Sequence, residues 1–75
     1  MSSYGVILFH TTAEAFAAEK ALGEAHLECR LIPTPREFSS DCGVAARFEW
    51  SRAADVLRTL EEAHVELAAV HPLSS

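Results

Sequence analysis

The chain predicts an α+β domain with the element order βαββαβ. Three observations carry that reading: short apolar runs of strand length, two helical apolar stripes each opened by a hydroxyl residue, and an internal repeat. The first run is Gly5-Val6-Ile7-Leu8-Phe9-His10, a strand over 5–10. Thr11 followed by Glu14 is a capping-box signal, in which a Thr side chain takes the N–H of a later Glu and that Glu reaches back, so a helix is expected from Thr12 to about Ala25. Alternation in Leu27-Glu28-Cys29-Arg30-Leu31-Ile32 predicts a second strand over 27–32, with Cys29 on its buried side beside two leucines. A third strand is expected over 44–49, a helix capped by Ser51 runs to about Ala63, and a fourth strand covers 65–70.

The repeat binds these elements together. Displacing the chain by 38 positions, from Glu24 to Glu62, lays Glu24-Ala25-His26-Leu27-Glu28 on Glu62-Ala63-His64-Val65-Glu66 and Gly5-Val6 on Gly43-Val44. The same shift carries the stripe Ala15, Ala18, Leu22, Ala25 onto Ala53, Val56, Leu60, Ala63. Two βαβ halves of this kind make a ferredoxin-like fold, a four-stranded antiparallel sheet of order 4-1-3-2 with both helices on one face, over a single domain of residues 1–75. His26 and His64 fall at equivalent positions past the two helices, at opposite edges of the sheet, where they read as helix-end residues and not as a metal pair.

Composition narrows the function classes. The 75 residues carry a net charge of −5 with no basic cluster, which argues against nucleic acid, since phosphate binding needs several cations on one surface. The longest apolar run is far shorter than the roughly 20 residues that span a bilayer, and Met1-Ser2-Ser3-Tyr4 lacks the basic start of a signal peptide. A cytoplasmic protein with no membrane partner is expected. A hydrophobic fraction of 49% that leans on alanine buries little area per residue, so self-association should help so short a chain. Strand alternation assigns Ile7, Phe9, Ala45, Ala68 and Val70 to the sheet face away from the helices, among Glu28, Arg30, Arg47 and Glu66, and a homodimer through that face is the expectation.

Chemistry concentrates in Pro33-Thr34-Pro35-Arg36-Glu37-Phe38-Ser39-Ser40-Asp41-Cys42-Gly43, where two prolines stiffen a loop and the small residues Ser39, Ser40 and Gly43 are expected to leave the Cys42 thiol accessible. The topology gathers His10, Thr11, Thr12 and Cys42 at one edge of the sheet, and alternation puts His10 opposite Cys42 on the helix side with Val6, Leu8, Val44 and Phe48. A thiol reacts as its thiolate, which a nearby imidazole, a helix N-terminus, a cation and loop amides all favour. His10 offers the base, the amides around Thr12 and Ala13 the helix end, Arg36 the cation, and Gly43 a close backbone approach, whereas an inward Asp41 would oppose them. Zinc wants four ligands, and Cys42, His10 and Asp41 make three, so neither a metal nor another cofactor is expected. A Cys29–Cys42 disulfide is disfavoured because hairpin register separates the two by about 10 Å.

Phe9-His10-Thr11-Thr12, Leu31-Ile32-Pro33-Thr34-Pro35-Arg36 and Ser39-Ser40-Asp41-Cys42-Gly43 together resemble the DUF3343 family of selenium/sulfur carrier-like proteins. The likeness covers nearly the whole chain, and its specific part is Pro-x-Pro-Arg followed by small residues and Cys-Gly. The resemblance implies a small carrier, rather than an enzyme, that holds sulfur or selenium on Cys42 as a persulfide or selenosulfide. It would take this cargo from a donor protein and pass it to an acceptor, with Cys42, His10 and Arg36 as reacting residues and Thr11, Thr12, Pro35, Ser39, Ser40 and Gly43 around them. Two other readings compete: a protein-binding or assembly module that uses the open sheet face, and a thiol redox sensor at Cys42.

Overall fold

The computed structural model describes residues 3–38 and 42–73. In chain order its elements are β1 (Tyr4–Leu8), α1 (Thr12–Glu24), β2 (Cys29–Pro33), β3 (Val44–Glu49), a 3-10 turn (Trp50–Arg52), α2 (Ala53–Glu62) and β4 (Ala69–Pro72). The sheet is antiparallel in the order β2-β3-β1-β4, which is the ferredoxin-like arrangement. β1 lies between β3 and β4, with Val6 opposite Arg47 on one side and His71 on the other.

Helix α1 starts as the capping box requires. Thr11 Oγ1 accepts the Glu14 N–H at 3.2 Å, while Glu14 Oε1 accepts the N–H of His10 at 2.8 Å and of Thr11 at 3.4 Å. Both helices end alike: His26 and His64 stand at φ 60 and 58, in the left-handed region. The Leu27 N–H donates to Leu22 C=O at 2.8 Å and the Val65 N–H to Leu60 C=O at 2.9 Å. This is the Schellman closure, in which one left-handed residue lets the next amide reach back over the last turn. The two sites are related by the sequence repeat, so the duplication extends to backbone conformation.

The second half departs from expectation at two definite places. Ser51 does not cap α2: the chain passes first through the 3-10 turn, and α2 begins after Arg52 with no side-chain cap. Trp50 opens that turn, and its ring packs over the bare Cα of Gly5 and stacks on Phe48 with centroids 5.9 Å apart. The fourth strand is not 65–70. Val65 and Leu67 pack against the core beneath the helices, and pairing with β1 starts only after the Ala68 N–H reaches Leu8 C=O at 2.7 Å.

The larger correction concerns which way β1 faces. Ile7 and Phe9, with no exposed surface, belong to the helix-side core with Ala15, Ala18, Leu22, Ala46, Phe48, Val56 and Leu60, and Val70 packs against the same cluster. Val6, Leu8 and Ala45 form a second cluster on the opposite face, covered by Phe38 from the β2–β3 connection and by Leu73. Val6 and Leu8 are therefore not on the helix side, and Ile7, Phe9 and Val70 do not line the open face. The run Val6-Ile7-Leu8-Phe9 is apolar throughout and buried on both sides, so its alternation carried no sign. Gly5 supplies it, because the Trp50 and Phe48 rings demand a residue without Cβ on the helix side. The far face is roofed in the same chain, where Phe38 stacks on His71 at 4.5 Å and 10°. Among the described residues, no helix is long and apolar enough to cross a membrane.

Candidate functional site

Cys42 lies two residues before Val44, with the same strand parity, and so continues the inward row Val44, Ala46, Phe48 beyond the end of β3. That parity carries its thiol under the start of α1, where Sγ meets Thr12 Oγ1 at 3.8 Å. Thr12 is the first residue of the helix. The capping box engages the N–H groups of Thr11 and Glu14 and leaves those of Thr12 and Ala13 outside it, so the positive end of the α1 dipole faces the sulfur's side of the sheet.

The thiol is enclosed. Cys42 is 3% exposed, whereas the loop composition suggested an accessible sulfur; the parity of β3, persisting past its last ladder pair, turns the side chain into the core. Thr34 closes the neck of the connection. Its Oγ1 donates to Cys42 C=O at 2.8 Å and its N–H donates to Gly43 C=O at 3.1 Å. Thr34 was not among the residues expected at the site, although its place between Pro33 and Pro35, where ladder pairing gives way to the turn, marks it.

The other expected residues fall as follows. His10 is exposed at the same edge, immediately before the N-cap, with its main chain tied to Glu14. It does not follow the inward row of β1, which belongs to Ile7 and Phe9; the side chain that meets Cys42 Sγ at 3.8 Å is that of Thr12. Arg36 is exposed in a turn closed by the Phe38 N–H donating to Pro35 C=O at 3.0 Å. Thr11 serves as the N-cap. Gly43 has no tight approach to permit, since a Cβ there would meet nothing within 4 Å. Ser39, Ser40 and Asp41 lie outside the described residues.

Beside the cysteine an apolar groove of about 350 Å³ opens between Phe16, Leu31, Ile32, Pro33, Gly43 and Val44. Phe16, one turn after Thr12, is 56% exposed. The second thiol, Cys29, is half-buried on β2, and burial together with the nearby Glu19 carboxylate raises its pKa. Neither cysteine is in a disulfide.

The fold and site define a small ferredoxin-like domain that holds a single loop cysteine against a helix N-terminus at one edge of its sheet. The chain belongs to the family described as "Putative Se/S carrier protein-like", which matches residues 4–72. No curated protein and no solved structure matches it.

Proposed function

We propose that this chain is a carrier that holds sulfur or selenium on Cys42 as a persulfide or selenosulfide and hands it to an acceptor protein. The family supplies the cargo class, and the placement of Cys42 Sγ at 3.8 Å from Thr12, on the first turn of α1, is the observation that carries the residue assignment. A helix N-terminus stabilises negative charge on a nearby sulfur, which is the state that attacks and the state that leaves.

The transfer is a displacement. The Cys42 thiolate attacks the outer sulfur of a donor persulfide, one S–S bond forms as the other breaks, and the donor leaves as its own thiolate with no net oxidation. With selenium the outer atom is Se and the product a selenosulfide. In this reading His10 and Arg36, both exposed, act once a partner has opened the site, His10 taking the thiol proton and Arg36 meeting the terminal anion, while Thr11, Thr12, Pro35 and Gly43 shape the surroundings. Burial of Cys42 shields the loaded sulfur between transfers, and a partner reaches it by loosening the Thr34 clasp.

Intact-mass spectrometry after incubation with a cysteine desulfurase and cysteine is the test. The expected adduct is about 32 Da, released by reductant, retained in Cys29→Ser and lost in Cys42→Ser. An adduct that survives in Cys42→Ser, or none in the native chain, overturns the assignment.

A further inference from the structure

The outer edge of β2 has a defined polarity. The Thr34 N–H donates to Gly43 C=O one step beyond the Pro33–Val44 pair, and antiparallel ladders alternate between residues that exchange hydrogen bonds with a neighbour and residues that point away. Thr34, Ile32 and Arg30 therefore turn their peptide groups toward β3, while Cys29, Leu31 and Pro33 turn theirs to the outside. Since β2 ends the sheet, Cys29 and Leu31 present N–H and C=O groups there, and Pro33 presents a carbonyl alone. Such an edge is a template for a further strand.

A second observation concerns charge. Arg30 stands directly opposite Arg47 in the β2–β3 register, and like charges directly opposed across a ladder are destabilising. Arg47 lies over the Tyr4 ring, 4.5 Å from its centroid, while Arg30 is exposed at the edge with Glu28 two residues away on the same face.

We propose that β2 is a homodimer interface, in which a second copy of this chain adds its own β2 antiparallel across the edge about a two-fold axis at Cys29. In that register Glu28 of each copy faces Arg30 of the other, Leu27 faces Leu31 on the helix side, and Cys29 faces Cys29. Cys29 exchanges N–H and C=O with its counterpart, and the Leu31 N–H donates to Leu27 C=O of the second copy. Charge selects this register over its neighbours. Centring the axis on Arg30 sets arginine against arginine, and centring it on Leu31 sets Arg30 against Ile32 with no ionic partner. The Glu28 carboxylates also supply the negative charge that the Arg30–Arg47 pair lacks. The edge is available for this role because the far sheet face is already covered by Phe38 and Leu73.

Sedimentation velocity in reductant, over a concentration series of the full chain, tests the proposal. A reversible dimer is expected. Glu28→Arg and Arg30→Glu should each weaken it about tenfold, and the double exchange should restore it. Arg30→Glu carries an internal control: it removes the clash with Arg47, so thermal stability of the dilute monomer rises while dimerisation falls. A short bis-maleimide should link native dimers and Cys42→Ser dimers but not Cys29→Ser. A chain that stays monomeric at every concentration, a dimer indifferent to both single exchanges, or a double exchange that fails to restore association overturns the proposal.

Discussion

The two ends of the sheet carry equivalent positions of one duplicated unit and treat them in opposite ways. The repeat sets Thr12 on Trp50, Gly43 on Gly5 and Cys42 on Tyr4. At the Trp50 end the space over the glycine is filled: a Cβ on Gly5 would lie 2.4 Å from the Trp50 ring and 2.8 Å from Phe48. At the Thr12 end a Cβ on Gly43 meets nothing within 4 Å, because Gly43, between the inward Cys42 and Val44, faces away from the helices, and a groove opens beside the cysteine. One end is sealed by an aromatic ring, and the other keeps a short hydroxyl side chain, a thiol and room.

The strongest way to break this comparison is to add one methyl group at each end. Gly5→Ala should destabilise the chain by about 1–3 kcal/mol through overpacking against Trp50 and Phe48. Gly43→Ala should stay within about 0.5 kcal/mol. Urea denaturation midpoints measure both, and equal losses would erase the distinction.

The helix starts offer the next contrast. Thr11→Ala removes a formed capping box and should cost about 1 kcal/mol, whereas Ser51→Ala, at a helix start with no side-chain cap, should be nearly neutral. Thermal unfolding of the two variants side by side is sufficient. The helix ends sharpen the other half of the comparison, because there the copies agree. His26→Gly and His64→Gly each relieve a left-handed non-glycine residue and should stabilise by similar amounts, a few tenths to about 1 kcal/mol. A gain at one site only would show that the ends have diverged as the starts have.

The smallest expected effect concerns position 29, where one half has Cys and the other Leu67. Burial and Glu19 raise the Cys29 pKa, so the folded state holds the thiol proton more tightly than the unfolded state does. That contribution is fully present below the unfolded thiol value of about 8.5 and is lost as pH rises from there through the higher folded value. The stability difference between the native chain and Cys29→Ser should accordingly shrink above about pH 8.5 and be constant below it. Equilibrium unfolding in reductant at a series of pH values measures the slope.

Much of this was legible beforehand. Thr11 and Glu14 announced the capping box, the echo of Glu24-Ala25-His26 in Glu62-Ala63-His64 announced matching helix ends, and alternation in Leu27-Glu28-Cys29-Arg30-Leu31 placed Cys29 inward. These signals are local: a hydrogen bond three residues long, a one-turn closure, a two-residue period. Four things were not. The side of β1 was hidden because Val6 through Phe9 are apolar on both faces, the start of β4 depended on where Ala68 could reach Leu8, and Ser51 falls inside a 3-10 turn that precedes α2. Thr34 was missed because its function is a bond to a carbonyl eight residues along the chain.

By itself, then, the sequence determined the βαββαβ order, the duplication, the N-cap of α1 and the family signature around Cys42, since each depends on neighbours along the chain or on a repeat of them. The tertiary structure alone decided that Ile7 and Phe9 face the helices, that Phe38 and Leu73 roof the other face, and that Thr12 meets the thiol. Those outcomes turn on which rings fill which space between distant segments, and volume competition of that kind leaves no periodic trace in the residues that lose it.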